Sequence, residues 1–225
     1  MTTLASAPVA PLLDRLFAEA DATSPSTTPS VADYWNALTG ADRSRLVRSR
    51  TEYLDFYARM KDVPLAVSPE TGRLLYALAR ASNATTIVEF GTSFGLSTIF
   101  LAAALRDNGG GRLITSEFEP SKVARATTHL VEAGLADLVE FRAGDALETL
   151  AHDLPDSVDL LLLDGAKALY PDILDLVEPR LRAGAIVLAD DADKSPDYLD
   201  RVRAADGRYL SQAFGEDVEL SVLVG

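Results

Sequence analysis

Five short β-rich runs alternate with helical segments over residues 86–190, and this alternation restricts the fold more than any other feature of the chain. Branched and aromatic residues fill the runs, and segments with apolar residues at helical spacing separate them. Strands that alternate with helices form βαβ units and a parallel sheet. The sequence therefore predicts an α/β fold with strands at 86–90, 112–117, 138–142, 158–164 and 185–190.

Carboxylates stand at or just after the ends of these runs. They are Glu89, Glu117, Asp145, Asp164 and the pair Asp190-Asp191. Ligands of open parallel sheets bind beyond the carboxyl ends of the strands, so these acids are expected along one rim. The sequence predicts the active site at that rim.

The rest of the chain is assigned from helix and turn signals. Helices are predicted at 11–22, 41–60, 69–81, 96–106, 120–133 and 170–181, and a terminal hairpin at 207–214 and 218–224. Residues 23–30, rich in Ser, Thr and Pro, are predicted to form a flexible loop. We divide the chain into an N-terminal helical extension, 1–60, with its loop at about 23–31, and a main α/β domain, 61–225.

Composition excludes several classes of protein. The formal charge of −13 opposes binding to nucleic acid or to an anionic membrane surface. Zero cysteines exclude thiolate metal sites and a cysteine nucleophile. No apolar run approaches the roughly 20 residues that span a bilayer, and the first ten residues lack a secretory signal, so a cytoplasmic location is expected.

A glycine-containing loop follows the first predicted strand. Gly91 and Gly95 have the spacing G-x-x-x-G, and Glu89 precedes them, which favours a cationic cofactor over a pyrophosphate. Glu117 ends the next strand, where an acid usually accepts hydrogen bonds from ribose hydroxyls. A nucleoside cofactor is therefore expected, although a tight turn without a ligand is an alternative explanation of the loop.

The later strand ends carry a denser polar set. Asp164 with Lys167, and Asp190 with Asp191, come from two strands that we place side by side. Three carboxylates without thiols or histidines suit Mg²⁺, Mn²⁺ or Ca²⁺. The alternative is that the acids cap the following helices. Lys167 favours the metal site, because a nearby divalent cation would lower the lysine pKa and make it a base.

Several of these motifs follow one another in an order that resembles a known family. They are the glycine loop, Ser116-Glu117, Gly144-Asp145-Ala146, Asp164 with Lys167, and Asp190-Asp191. The chain resembles the metal-dependent, S-adenosylmethionine-dependent O-methyltransferases, the group of catechol and caffeoyl-CoA O-methyltransferases, from about Met60 to Gly225. The resemblance implies the Rossmann-like class I methyltransferase fold. That fold has a seven-stranded, mostly parallel sheet with helices on both faces and a C-terminal antiparallel hairpin.

The resemblance also implies roles for individual residues. Positions that hold S-adenosylmethionine are occupied by Val67, Glu89, Gly91, Thr92, Ser93, Ser97, Glu117, Ala146 and Asp164, with Glu117 on the ribose and Ala146 near the adenine. Metal-ligand positions hold Asp164, Asp190 and Asp191, and Lys167 falls on the general base, so that Lys167 and Asp164 are the predicted catalytic pair. Glu219 is a weaker match to an acid at the acceptor. The family commonly has Asp-Asn where this chain has Asp190-Asp191, which leaves metal preference and pH optimum open.

The implied activity is methyl transfer from S-adenosylmethionine to a hydroxyl of a catechol-like phenolic small molecule, with Mg²⁺ as the expected cation and a homodimer as the expected assembly. A nicotinamide-dependent oxidoreductase and a non-catalytic ligand-binding or receiver-type module remain alternatives. Trp35 and Tyr34 form either a mobile lid over the substrate or ordinary packing. His129 and His152 are predicted to be surface residues away from the site.

Overall fold

Short runs of branched residues form a single sheet in the computed structural model, which describes residues 2–205 and 207–225. Its seven strands, counted over those ranges, are β1 (Thr86–Phe90), β2 (Arg112–Glu117), β3 (Val139–Ala143), β4 (Val158–Leu163), β5 (Leu181–Ala189), β6 (Tyr209–Phe214) and β7 (Val218–Leu223). Their order across the sheet is β3-β2-β1-β4-β5-β7-β6. The first five strands run parallel, and β7 is antiparallel to both of its neighbours. The predicted fold class is confirmed.

Strand β1 lies between β2 and β4: the chain adds β2 and β3 on one side of β1, and then β4 and β5 on the other side. In the parallel register Phe90 is paired with both Ser116 and Leu163, and therefore the strand ends lie level with one another. Such a reversal of strand order opens a crevice beyond the carboxyl ends. The predicted neighbouring placement of β4 and β5 is also confirmed.

Helices cover both faces of this sheet. They are α1 (Val9–Asp21), α2 (Ala32–Ala37), α3 (Gly40–Val47), α4 (Tyr53–Arg59), α5 (Pro69–Ala81), α6 (Leu96–Asp107), α7 (Pro120–Glu132), α8 (Ala146–Thr149), α9 (Tyr170–Val177) and α10 (Pro196–Val202). Alternate strand residues point to opposite faces. Ile87 of β1 packs in the cluster with α1, α5 and α6, whereas Val88 packs with α8, α9 and α10.

The single helix predicted over residues 41–60 is wrong, because the structure has two shorter helices there, α3 and α4. Thr39 starts α3 with a reciprocal side-chain and backbone cap to Asp42. After α3, the Ser49 hydroxyl accepts hydrogen bonds from the backbone N–H groups of Thr51 and Glu52. A serine that satisfies backbone donors in this way favours a turn over a continuous helix.

The Ser- and Thr-rich segment after α1 forms hydrogen-bonded turns. Thr27 and Thr28 donate their backbone N–H groups to the carbonyl of Ser24, and the Thr28 side chain is buried. The expected flexibility of this loop stays a prediction. No helix within the described ranges is both long and apolar enough to cross a membrane.

Candidate active site

A crevice opens at the carboxyl ends of β1, β2 and β4, as the strand order predicts. Five of the nine predicted cofactor residues line it: Gly91, Ser93, Glu117, Ala146 and Asp164. They come from three strand ends and from the start of α8. The topology therefore brings together residues that lie up to 73 positions apart in the sequence, since Gly91 and Asp164 mark the ends of that span.

The loop between β1 and α6 fits closely against the end of β4. Gly91 has φ of 100°, and a Cβ atom there would lie 2.5 Å from the carbonyl oxygen of Asp164. Ser93 has φ of 48°, and its backbone N–H donates to Glu117 Oε2 at 2.9 Å. The missing Cβ of Gly91 lets two strand ends approach each other. The loop thus joins β1, β2 and β4 at one point.

Glu117 ends β2 and is buried at the wall of the crevice. Burial raises the pKa of this carboxyl, and the opposing hydrogen bonds from the backbone N–H groups of Glu119 and Ser93 only partly offset the increase. Those two donors hold the side chain in place. A carboxylate oriented in this way can accept hydrogen bonds from a ribose.

The other four predicted cofactor residues, Val67, Glu89, Thr92 and Ser97, are buried and do not line the crevice. Glu89 accepts hydrogen bonds from the hydroxyls of Ser97, Thr98 and Thr115 at 2.5, 2.7 and 2.6 Å. It shares the α6 side of the sheet with Ile87, two residues earlier in the strand. These side chains support the loop from beneath, and their contact with a cofactor stays a prediction.

Several crevice residues were not predicted from the sequence. Lys122 reaches the crevice from the first turn of α7, Tyr53 and Tyr57 reach it from α4, and Leu65 reaches it from the segment between α4 and α5. The Tyr53 hydroxyl donates to the Asp145 carboxylate, which also caps α8. In the sequence both tyrosines lie within the helix predicted over residues 41–60, where spaced apolar residues indicate packing but give no partner.

The crevice has a volume of about 60 Å³, whereas small-molecule pockets usually start at about 300 Å³. Tyr53, Leu54, Tyr57 and Leu65 form part of its lining. We expect these side chains to shift when a nucleoside-sized ligand binds.

A second cavity, of about 310 Å³, adjoins the crevice. One wall is aromatic and apolar, and the opposite wall is charged. The apolar wall contains Trp35, Val47, Phe56, Tyr57 and Met60, and the charged wall contains Asp164, Lys167, Asp190, Asp191 and Lys194. The centre of the Trp35 ring lies 6.5 Å from that of Phe56, and the Arg43 guanidinium stacks over the Trp35 ring. Trp35 thus lines this cavity, while its role as a mobile lid stays a prediction.

The charged wall pairs acids with lysines. Lys167 Nζ donates to Asp164 Oδ1 at 2.8 Å and lies 3.4 Å from Asp191 Oδ2, and Lys194 forms an ion pair with Asp191. Burial disfavours the ammonium of Lys167, yet Asp164 and Tyr170 beside it hold its pKa well above the ordinary value. Lys167 is thus protonated in this arrangement. The lowered lysine pKa expected beside a divalent cation stays a prediction.

Comparisons with known proteins agree with this geometry. Residues 88–192 match a family described as a methyltransferase domain. A catechol O-methyltransferase from Mycobacterium tuberculosis is 33% identical over 155 residues, which cover 68% of this chain and 70% of that protein. The chain belongs to the class I S-adenosylmethionine-dependent O-methyltransferases. A catechol O-methyltransferase from Niastella koreensis is 34% identical over 139 residues, 60% of this chain, and the match spans 62% of that protein's length.

Solved structures of O-methyltransferases share the fold. The O-methyltransferase of tomaymycin synthesis from Streptomyces achromogenes, solved in complex with S-adenosylmethionine, has a TM-score of 0.66 and 30% identity over 81% of this chain and 94% of its own. An O-methyltransferase from Bacillus cereus in complex with S-adenosylhomocysteine has a TM-score of 0.67 and 25% identity over 89% of this chain and all of its own. Membership of this methyltransferase family decides against the oxidoreductase and the receiver-type module.

The three predicted metal ligands of this methyltransferase have the right chemistry for a hard cation. Asp190 forms no hydrogen bond or ion pair through its carboxylate with any described residue, and burial together with Asp164 raises its pKa. A divalent cation would relieve that repulsion. As they stand, however, no three acidic or histidine side chains in the described ranges are spaced to hold a metal ion, and Lys167 and Lys194 form ion pairs with Asp164 and Asp191. The residue types fit, and a cation would have to compete with these ammonium groups.

One lesser prediction is wrong, and another stays untested. His129 is buried rather than at the surface, and its Nδ1 lies 2.8 Å from the carbonyl oxygen of Phe94, so that it supports the glycine loop from α7. Glu219 lines neither cavity, and its carboxylate accepts hydrogen bonds from Arg203 after α10 and from Ser211 of β6, so that its contact with an acceptor stays a prediction. Both residues stabilise neighbouring elements.

Proposed function

We propose that this protein transfers the methyl group of S-adenosylmethionine to a hydroxyl of a vicinal dihydroxy-aromatic small molecule. The wall shared by the crevice and the larger cavity carries the proposal, because Asp164 and Gly165 line both. A methyl donor in the crevice and a hydroxyl in the cavity would meet at this wall. Holding two reactants in line supplies much of the acceleration of such a displacement.

The larger cavity supports a small aromatic acceptor. Its volume of about 310 Å³ lies near the lower end for small-molecule pockets. Trp35 and Phe56 offer flat apolar surface to a ring, and Asp190 and Lys167 opposite them offer hydrogen-bonding partners to its hydroxyls. A single aromatic ring with two adjacent hydroxyls can pack against the apolar wall and form hydrogen bonds with the charged wall.

Lys167 is the proposed acceptor of the hydroxyl proton, and Asp164 orients its Nζ. Methyl transfer forms an O–C bond and breaks an S–C bond. Lys167 would first lose its own proton to solvent when the cation binds, and its neutral amine would then take the proton of the acceptor hydroxyl. Asp164, Asp190 and Asp191 would hold the divalent cation, which supplies positive charge that lowers the pKa values of the acceptor hydroxyl and of Lys167.

Formation of S-adenosylhomocysteine from S-adenosylmethionine and a panel of catechols tests the proposal. The assay is run with Mg²⁺ and with EDTA, on the natural chain, on Lys167→Ala and on Lys61→Ala. Lys61 is an exposed lysine paired with Asp62, and it serves as the control. We expect turnover that EDTA abolishes, a loss of about 10²-fold or more in Lys167→Ala, and no change in Lys61→Ala.

The outcomes separate the parts of the proposal. Turnover in the presence of EDTA contradicts the proposed need for a divalent cation. Turnover in Lys167→Ala contradicts the proposed role of Lys167 as the base. Binding of S-adenosylmethionine without turnover on any catechol contradicts the acceptor class. Absence of S-adenosylmethionine binding contradicts the proposed function as a whole.

A further inference from the structure

Lys122 is a buried lysine that the proposed reaction does not use. It lies in the first turn of α7, only 3% exposed, and its side chain reaches back to the crevice beside Ser93 and Glu117. Its ammonium lies 5.6 Å from the centre of the Phe94 ring. Among the described residues that line the crevice, Lys122 is the single one that carries a positive charge.

The ammonium of Lys122 has few partners within the described chain. It makes one long hydrogen bond, 3.4 Å to Ser93 Oγ, and no ion pair. That serine hydroxyl already accepts the backbone N–H of Leu65 at 3.1 Å. A lysine ammonium has three donors, and a buried charge is normally paired. Burial lowers the Lys122 pKa, although Glu117 and Glu119 oppose this effect.

The chemistry of the cofactor supplies the missing partner. S-adenosylmethionine carries a ribose, a cationic sulfonium, an ammonium and one carboxylate. The crevice offers Glu117 and Asp164 to the ribose and the cationic groups, and their negative charge opposes a carboxylate. Lys122 is the group on this wall that can compensate a carboxylate, because a charge-assisted hydrogen bond between the two ions is favoured in a site removed from water.

We propose that Lys122 binds the carboxylate of the cofactor's methionyl group. This inference rests on the proposed function, since it requires that the crevice hold S-adenosylmethionine. The competing explanation is that Lys122 only neutralises Glu117 and keeps the ribose acceptor in position. The two explanations differ for a ligand that has the adenosine and the sulfur but no carboxylate.

Calorimetric titration of S-adenosylhomocysteine and of 5′-methylthioadenosine distinguishes them. Both ligands carry adenosine and a thioether, and 5′-methylthioadenosine lacks the amino acid portion. For Lys122→Met, which keeps most of the buried alkyl chain, we expect the Kd for S-adenosylhomocysteine to rise about 10- to 100-fold. We expect the Kd for 5′-methylthioadenosine to change by less than about 3-fold. Lys122→Arg should keep most of the affinity, and Lys61→Met is the matched control.

A third ligand separates the carboxylate from the rest of the amino acid. Decarboxylated S-adenosylhomocysteine keeps the amine, and we expect Lys122→Met to bind it as the natural chain does. Thermal unfolding of each variant checks that the fold is intact. If Lys122→Met does not fold, the same titrations are made on Lys122→Gln. The affinities of the natural chain for S-adenosylhomocysteine and for the decarboxylated ligand are also compared. A preference below about 3-fold would contradict the inference.

If Lys122→Met binds all three ligands more weakly by the same factor, the inference is overturned and the proposed function remains. Lys122 would then act only by neutralising Glu117 at the ribose. Failure of the natural chain to bind S-adenosylhomocysteine overturns both. Selective loss of the carboxylate-bearing ligand supports the inference, and it cannot arise from a merely structural role.

Discussion

Glu89 is a carboxylate that the fold buries among three hydroxyl groups. Burial raises its pKa from 4.5 to about 7, although the hydrogen bonds from Ser97, Thr115 and Thr98 oppose the shift. The folded state therefore binds this proton more tightly than the unfolded state does. Its contribution to stability is fully present below about pH 4.5 and is lost as the pH rises through about 7.

Glu89→Gln removes this titration, so the free energy of unfolding of the variant relative to the natural chain should increase between pH 5 and pH 8. The expected change is about 3 kcal/mol, from the difference in pKa between the folded and unfolded states. Urea unfolding at intervals across this range measures it. Curves for the two proteins that stay parallel would show that Glu89 is ionised throughout.

Gly91 and Gly109 share φ of 100° but have different surroundings. A Cβ atom at Gly91 would meet the backbone of Asp164, whereas nothing lies within 4 Å of one at Gly109. Gly109→Ala therefore isolates the backbone strain, which we expect to cost about 1 kcal/mol. Gly91→Ala adds the clash and should cost about 1–3 kcal/mol more, together with loss of cofactor binding.

Denaturant unfolding of both glycine variants, with titration of S-adenosylhomocysteine, measures this difference. Equal losses in the two variants would mean that the loop can move away from β4. In that case the close contact between Gly91 and Asp164 would not be required to hold the crevice together.

At the scale of elements, α4 contacts the crevice through Tyr53. The Tyr53 hydroxyl donates to Asp145, and Arg50 just before α4 forms an ion pair with Asp172. These contacts join the N-terminal segment to the loop after β3 and to α9. The arginines at positions 43–50 donate hydrogen bonds to groups of the chain itself.

Tyr53→Phe should make α4 easier to open, because it removes one hydrogen bond to a carboxylate, worth about 1 kcal/mol at this partly exposed position. We expect S-adenosylhomocysteine to dissociate several-fold faster, as stopped-flow fluorescence would measure. Tyr34→Phe is the control, since the Tyr34 ring stacks on Arg59 and its hydroxyl forms no hydrogen bond within the described residues. Unchanged dissociation in Tyr53→Phe would mean that another contact limits opening.

On the scale of the whole molecule, α1 packs into the same core as the sheet. Leu16 is 2% exposed and belongs to the cluster that contains Ile87, Ile99 and Leu113. The N-terminal residues thus contribute to the folding of the main domain. The boundary at residue 60 and the homodimer stay predictions.

Leu16→Ala should lower the free energy of unfolding by about 3 kcal/mol, because it leaves a cavity between α1 and the main core. Val131→Ala, on an exposed face of α7 at 64% exposure, should change it by less than about 0.5 kcal/mol. Urea unfolding of both variants checks the comparison. A small effect at Leu16 would indicate that α1 adds little to the main folding unit.

Much of the fold follows from local sequence. Strands β1 and β2 match their predicted bounds, and α5 begins and ends where Ser68-Pro69 and Ala81 predict. These elements carry strong local signals, a branched run or a cap, that no distant contact has to supply. The break between α3 and α4 was missed, because it depends on a serine side chain that competes with an apolar stripe.

The candidate site, like the fold, could be predicted from the sequence only in part. Acids at strand ends and a glycine after β1 could be assigned from sequence, because parallel strands bring their carboxyl ends to one edge whatever the packing. Which side chains face the crevice could not be assigned. Glu89 and Ser97 turn towards each other under the loop, while Lys122 and Tyr53 reach the crevice from other elements.

By itself the sequence determined the alternation of the five parallel strands with helices, the edge of the sheet where the chemistry lies, and the family. The tertiary structure alone decided the pairing of Lys167 with Asp164 and Asp191, the burial of Lys122 and the contact of Tyr53 with the crevice. Periodicity and strand-end position are properties of neighbouring residues. Ion pairs, burial and access arise from packing between elements distant in the chain, which local sequence does not encode.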